Sequence, residues 1–266
     1  MTPEELLYAY AIAREGALRP ETLENLTGVA GEPVRAVPHL GLAALVGRVP
    51  AAEFDEGALA EGMEDLSRLE RVARGHQRVV EELSAALRCV LPMRLATVYR
   101  DETGVRRMLA AGRMDFGAAL DRLDGRVEWG VKVYALMEPS EPSGASGVDG
   151  PSGACGSDAG AKPSGREYLR RRGAARRARG EGVRDIHGAL AGLAERARVY
   201  PPQNSRLSGA SGRNVLNAAY LVRRERGGDF TSVVGELAEA GPRSGLRVEL
   251  TGPWAPYSFV REDGDG

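Results

Sequence analysis

The chain has 266 residues, room for two domains of ordinary size, and 42% of them are apolar, enough to fill two cores. A formal net charge of −1 excludes a global field that would draw the chain to nucleic acid or to an anionic membrane surface. No apolar run approaches the ~20 residues that span a bilayer. Cys89 lies in an apolar helical pattern and Cys155 in a Gly/Ser tract, a placement that argues against a disulfide and for a reducing cytoplasm. The acidic start, Met1-Thr2-Pro3-Glu4-Glu5, lacks the basic region of a secretory leader, so a cytoplasmic protein is expected.

Residues 6–13 (LLYAYAIA) are apolar on both faces and predict a buried strand. Residues 34–38 and 42–49 predict two strands joined as a hairpin through His39-Leu40-Gly41. A long helix is predicted over about 60–90, because Leu66, Leu69, Ala73, His76, Val80, Leu83, Leu87 and Val90 alternate spacings of three and four and form one seam. Pro92 stops it. Residues 93–99 (MRLATVY) then predict a strand, Asp101 caps a helix over about 102–111, and a short helix fits 116–123. Residues 127–136 alternate, with Val127, Trp129, Val131 and Val133 on one face and Glu128, Lys132 and Tyr134 on the other, the pattern of a strand with one covered face.

Residues 138–164 change in kind. They are rich in Pro, Ser, Gly, Ala and Asp and predict a flexible insert, because they cannot bury enough surface to offset the entropy of ordering. An arginine-rich helix is predicted over about 165–196, followed by an edge strand over 199–207 broken by Pro201-Pro202. Residues 214–223 suit a central strand, 230–239 a short helix, and 246–251 an alternating strand. From Val127 onward the order is strand, helix, strand, strand, helix, strand, that of the ferredoxin-like split βαβ arrangement. The expected fold is α+β in two domains: residues 1–124 around a long helix, and residues 125–266 with the insert after the first strand.

No motif carries catalysis. His39, His76 and His187 are far apart and lack a helical metal-binding spacing, and His76, on the helical seam, reads as a packed, hydrogen-bonded side chain. There is no nucleophile elbow, no phosphate loop and no Cys-x-x-Cys. The adjacent carboxylates Glu81-Glu82 point to different sides of a helix and read as a solvated face. No catalytic residue, cofactor or metal is therefore expected.

From Arg166 to Arg184 eight arginines stand against Glu167 and Glu181. No aromatic interleaves with them after Tyr168, which argues against nucleic acid and leaves a solvated face or a docking surface for an acidic protein. The segment TGPWAPYSF (251–259) displays Trp254, Tyr257 and Phe259 on a proline-restricted chain. It either folds back to pack these rings or forms a preordered binding strip, since Trp and Tyr dominate interface hot spots.

Together, HQRVV (76–80), LPMRLATVY (91–99), GRVEWGVKV (125–133), SGREYL (164–169) with its arginines, VLNAAYLV (215–222) and LTGPWAPYSF (250–259) resemble the gas vesicle protein F and L family in order and placement along nearly the whole chain. Ala96 departs from the pattern, standing where that family commonly has glycine. The resemblance implies a protein needed to form gas vesicles, hollow protein-walled compartments that give cells buoyancy. It implies two α+β domains, the second a modified ferredoxin fold, and no enzymatic residues. The expected location is the gas vesicle, in the cytoplasm. The expected partners are the small hydrophobic shell protein and other vesicle accessory proteins, with no membrane and no nucleic acid. Within these motifs the candidate partner-binding residues are Arg94, Trp129, Tyr168, Tyr220, Trp254, Tyr257 and Phe259. The alternative role is a minor structural component retained in the mature shell.

Overall fold

The computed structural model describes residues 4–55, 57, 65–136, 165–202 and 212–261. The expected insert at 138–164, with Cys155, lies outside them, as do most of the helix expected before Asp65 and the end of the strand expected over 199–207. Helices pack on two antiparallel sheets.

In the first sheet β1 (Glu5–Arg14) is central. It pairs on one side with β3 (Leu42–Pro50), which carries β2 (Arg35–His39) at its far edge. It also pairs with two short strands, β4 (Leu91–Pro92) and β5 (Val98–Tyr99). The apolar run of β1 is explained by cores on both faces. Leu7, Ala9 and Ile12 enter one, and Tyr8, Tyr10, Ala11 and Ala13 the other. The strict alternation breaks between Ala9 and Ala11, where the register with β3 shifts by a bulge. The β2–β3 turn places both Leu40 (φ 53°) and Gly41 (φ 80°) in the left-handed region, the two-residue geometry that matches strand twist.

The long helix, α3 (Leu66–Ala86), follows the single-turn helices α1 (Pro20–Leu23) and α2 (Ala51–Phe54). The Asp65 carboxylate caps it by accepting from the backbone N–H groups of Ser67 and Arg68. Its buried seam is shorter than the spacing predicts: Leu66 is 77% exposed, and His76, Val79, Val80 and Leu83 are the buried positions. The helix also ends at Ala86, not near Val90. Leu87 turns to extended backbone so that Leu91 and Pro92 can lie along Ile12 and Ala11 of β1.

His76 is clasped between tyrosines of β1. Its Nδ1 shares a 3.1 Å hydrogen bond with the Tyr8 hydroxyl, and both tyrosine rings lie with centroids 5.7 Å from the imidazole. Burial pushes the His76 pKa from 6.5 down to about 4, partly offset by the Met93 backbone. The Tyr10 hydroxyl donates to Glu32 and accepts from the Val29 N–H at 2.8 Å.

The strand expected over 93–99 is corrected. Only Val98–Tyr99 is strand, and residues 94–97 form a turn in which Thr97 donates through both its N–H and its hydroxyl to the Arg94 carbonyl. Ala96 sits at φ 60°, with its N–H donated to the Tyr8 hydroxyl at 3.0 Å. The left-handed backbone explains why glycine suits this place. The helices α4 (Glu102–Ala111), capped by Asp101, and α5 (Arg113–Leu123) cover the lower face of the sheet.

The second sheet has the order β7-β8-β6-β9: β7 (Arg196–Tyr200), β8 (Arg213–Arg223), β6 (Arg126–Ala135) and β9 (Leu246–Trp254). The most apolar strands, β6 and β8, are central, and β7 is an edge that ends before Pro201-Pro202. The helices α6 (Gly165–Leu193) and α7 (Gly227–Ala240) place Ile186, Leu190, Phe230 and Val234 against Val127, Trp129, Val131 and Tyr220. The one-covered-face pattern of β6 is corrected too, since Glu128 and Tyr134 are buried. The second face of this sheet is covered because Ala219, Leu221 and Phe259 share a core with Leu7, Ala9 and Ile12 of the first.

Two outcomes test these packing arguments. An alanine in the left-handed region costs about 1–2 kcal/mol, against a glycine entropy penalty of roughly 0.5–1. Ala96→Gly is therefore expected to raise the free energy of unfolding by about 0.5–1 kcal/mol in urea titration, where an ordinary Ala→Gly change lowers it. At His76 the folded pKa is depressed, so the unfolded chain takes up a proton below pH 6.5 that the folded chain refuses down to about 4. This contribution is whole above pH 6.5 and is lost as pH falls through that window, about 3 kcal/mol in all. Urea titrations at pH 7 and pH 4.5 are expected to show a larger acid loss for the native chain than for His76→Gln.

Candidate functional site

The C-terminal end of β9 leaves the second sheet and runs onto the long helix. β9 pairs with β6, but the step from Gly130↔Thr251 to Glu128↔Trp254 spans one extra residue on β9. At this bulge Gly252 has φ 115°, and a Cβ there would lie 2.9 Å from the Glu128 carbonyl, so no other residue fits without displacement. The bulge sets Trp254 opposite Glu128.

Beyond Trp254 the chain is held at three points. Ala255 is buried in the core beneath α3, with Val80 and Leu83. The Glu128 carboxylate accepts from the Ser258 N–H at 2.8 Å and from the Ser258 hydroxyl at 2.6 Å. Phe259 is buried in the core shared by the two sheets, and the Arg122 guanidinium of α5 donates to the carbonyls of Phe259 (3.3 Å) and Val260 (3.1 Å). Burial raises the Glu128 pKa; the two Ser258 bonds and the charge of Arg198 act against the rise.

Between these anchors a cleft of about 220 Å³ opens, lined by Gln77, Val80 and Glu81 of α3, by Glu128, and by Trp254, Ala255 and Tyr257. Tyr257 is 42% exposed at its rim. The cleft therefore has an apolar floor, two aromatic walls and two carboxylates.

The structure brings two of the seven sequence-derived candidates together here, Trp254 and Tyr257. Trp129 is buried in the second core and stacks on Phe230 with centroids 6.1 Å apart. Tyr220 is fully buried, its hydroxyl 2.8 Å from His187 Nδ1, so β8 is tied to α6 much as β1 is tied to α3. Phe259 is an anchor and not part of the open strip. Arg94 is exposed on the turn after β4. Tyr168 lies on α6, and its side chain falls outside the described residues.

Sequence reasoning missed Glu128, Glu81 and Ser258. Alternation put Glu128 on the open face of a strand, and helical position put Glu81 on a solvated face; nothing local signals that the tail crosses both. On α6, no described residue of 166–185 is buried, and Arg166, Arg170, Arg172, Arg176 and Arg177 are exposed. Among the described residues no group of three or more His, Cys, Asp and Glu is placed to hold a metal ion, and no helix is long and apolar enough to cross a membrane.

Ser258→Ala removes one of the two donors to a buried carboxylate. A hydrogen bond to a charged group contributes about 1.5–3 kcal/mol. The variant is expected to lose that much in urea titration and to expose the 254–261 segment to limited proteolysis.

The family model described as gas vesicle synthesis protein GvpL/GvpF matches residues 6–261. Gas vesicle protein L of Streptomyces sp. (strain CB03234) is 47% identical over 98% of this chain and 94% of its own length. Gas vesicle protein F of the same strain is 28% identical, with 95% and 98% covered. The crystal structure of the gas vesicle protein GvpF from Anabaena sp. PCC7120 superposes with a TM-score of 0.68 at 19% identity, over 98% of each chain, a likeness of fold.

Proposed function

Because this chain belongs to the gas vesicle synthesis protein GvpL/GvpF family, we propose that it acts in the cytoplasm as a gas vesicle assembly protein. In this role it binds the small hydrophobic shell protein and other accessory proteins and performs no chemistry on them. The observation that carries the reading is the cleft at the C-terminal strip. Trp254 and Tyr257 are held at its wall by a backbone already fixed through Ala255, Ser258 and Phe259. Aromatic side chains ordered before binding contribute to affinity without an ordering cost, which is why they dominate interface hot spots. An isolated shell subunit exposes apolar surface that would otherwise aggregate, and a partner that covers it keeps it available for assembly.

The strand order β7-β8-β6-β9, with α6 and α7 packed into one cluster, supports reading residues 125–266 as a modified ferredoxin-like domain and 1–124 as an N-terminal α+β domain. On this reading the cleft lies where the helix of the first domain meets the tail of the second. The higher identity to protein L than to protein F of one Streptomyces strain supports an L-type role.

Co-expression with the shell protein from the same gene cluster tests the proposal. Affinity capture of this chain is expected to recover soluble shell protein. Combined Trp254→Ala and Tyr257→Ala is expected to cut recovery at least about tenfold, since truncating one hot-spot side chain costs on the order of 2 kcal/mol. No recovery with both proteins well expressed would overturn the direct role. Recovery unchanged in the double variant would move the contact away from the strip.

A further inference from the structure

Both carboxylates of the cleft are satisfied by uncharged donors. Glu81 accepts from the Gln77 side-chain amide at 2.8 Å, and both oxygens of Glu128 are taken by Ser258. Among the described residues neither forms an ion pair, and no basic side chain lines the cleft, although the charge of Arg198 reaches Glu128 from further away. Both negative charges are felt at one ring: the Tyr257 phenol is pushed up by burial first, then by Tyr8, Glu81 and Glu128. Two aromatic rings and two carboxylates around one small space that no basic side chain lines are the chemistry that holds a cation. Ring faces attract it through their quadrupole and the carboxylates through their charge, in a partly dry site where both act strongly.

Size narrows the occupant. At about 220 Å³ the cleft is smaller than the roughly 300 Å³ at which small-molecule pockets begin. Val80 and Ala255 supply an apolar floor that suits an aliphatic stem carrying a charged head. We propose that the cleft between α3 and the C-terminal strip receives one cationic side chain, arginine or lysine, presented by a protein partner, with Trp254 and Tyr257 as its aromatic walls and Glu81 and Glu128 as its charge partners. This rests on the reading of the chain as a binding protein and names the chemistry its partner must carry.

The test uses the full ¹⁵N-labelled chain and the indole N–H signal of Trp254, identified by its absence in Trp254→Phe. The probes are acetyl-Gly-Arg-Gly-amide and its neutral counterpart with citrulline in place of arginine. The arginine peptide is expected to shift the Trp254 signal saturably at millimolar concentration, and the citrulline peptide to bind at least about tenfold more weakly. Glu81→Gln is expected to reduce arginine affinity several-fold while the melting temperature stays unchanged, because the side chain is on a partly open helix face. Glu128→Gln, which keeps one acceptor for the Ser258 N–H, is expected to reduce arginine affinity as well, with a lower melting temperature because one charged hydrogen bond to Ser258 is lost. Equal binding of the two peptides, no saturable shift with arginine, or undiminished arginine affinity in both variants would overturn the proposal. A failed titration leaves capture of shell protein standing as a separate result, and failed capture leaves the titration standing, so the two readings fall independently.

Discussion

The buried carboxylate of Glu128 fixes the arrangement on which the candidate site depends. It stands on a central strand of the second sheet, and both of its oxygens are committed to Ser258. An ionisable group in such a place is stable only when its hydrogen-bonding capacity is met, so the tail must return to it. Once Ser258 is held there, Phe259 reaches the core between the sheets and Ala255 the core beneath α3. Trp254, paired with Glu128 just before these anchors, and Tyr257, between them, then line the wall of the cleft. The fold-back reading of this segment holds for Ala255 and Phe259, which enter the two cores.

The long helix has an equivalent constraint of its own. Tyr8 hydrogen-bonds His76 on one side and takes the Ala96 N–H on the other, so one hydroxyl ties helix, central strand and the turn after β4 together. Tyr220 and His187 repeat the pairing between β8 and α6. In each case a polar contact inside an apolar layer specifies the position of a helix on its sheet, where side-chain packing alone would tolerate small slips. The helix face that completes the cleft, with Gln77, Val80 and Glu81, directly follows His76 on α3.

Much of the fold was legible because periodicity reports burial. The two apolar faces of β1, the part of the α3 seam at His76, Val80 and Leu83, the centrality of β6 and β8 and the Asp101 cap follow from residue spacing and type. What periodicity could not report was contact between distant segments. Glu128 and Tyr134 read as an open face because the elements that cover them come from elsewhere in the chain. The stretch 93–99 read as a strand because Met, Leu, Thr, Val and Tyr favour one, yet the Arg94–Thr97 turn and the left-handed Ala96 interrupt it. The same limit governed the site. Aromatic content singled out Trp254 and Tyr257, which line one cleft, but it equally selected Trp129 and Tyr220, which serve the second core, and passed over the acidic residues that give the cleft its charge.

The central claim is that Tyr257 and its cleft touch another vesicle protein during assembly. The most direct measurement is site-specific photo-crosslinking in cells that are forming gas vesicles, with a benzophenone amino acid at position 257 and, as control, at Met114, which is 80% exposed on α5. The account predicts a discrete adduct between position 257 and a gas vesicle protein, identified by mass spectrometry, and none from position 114. Abundant, folded protein that yields no adduct from position 257 would contradict it.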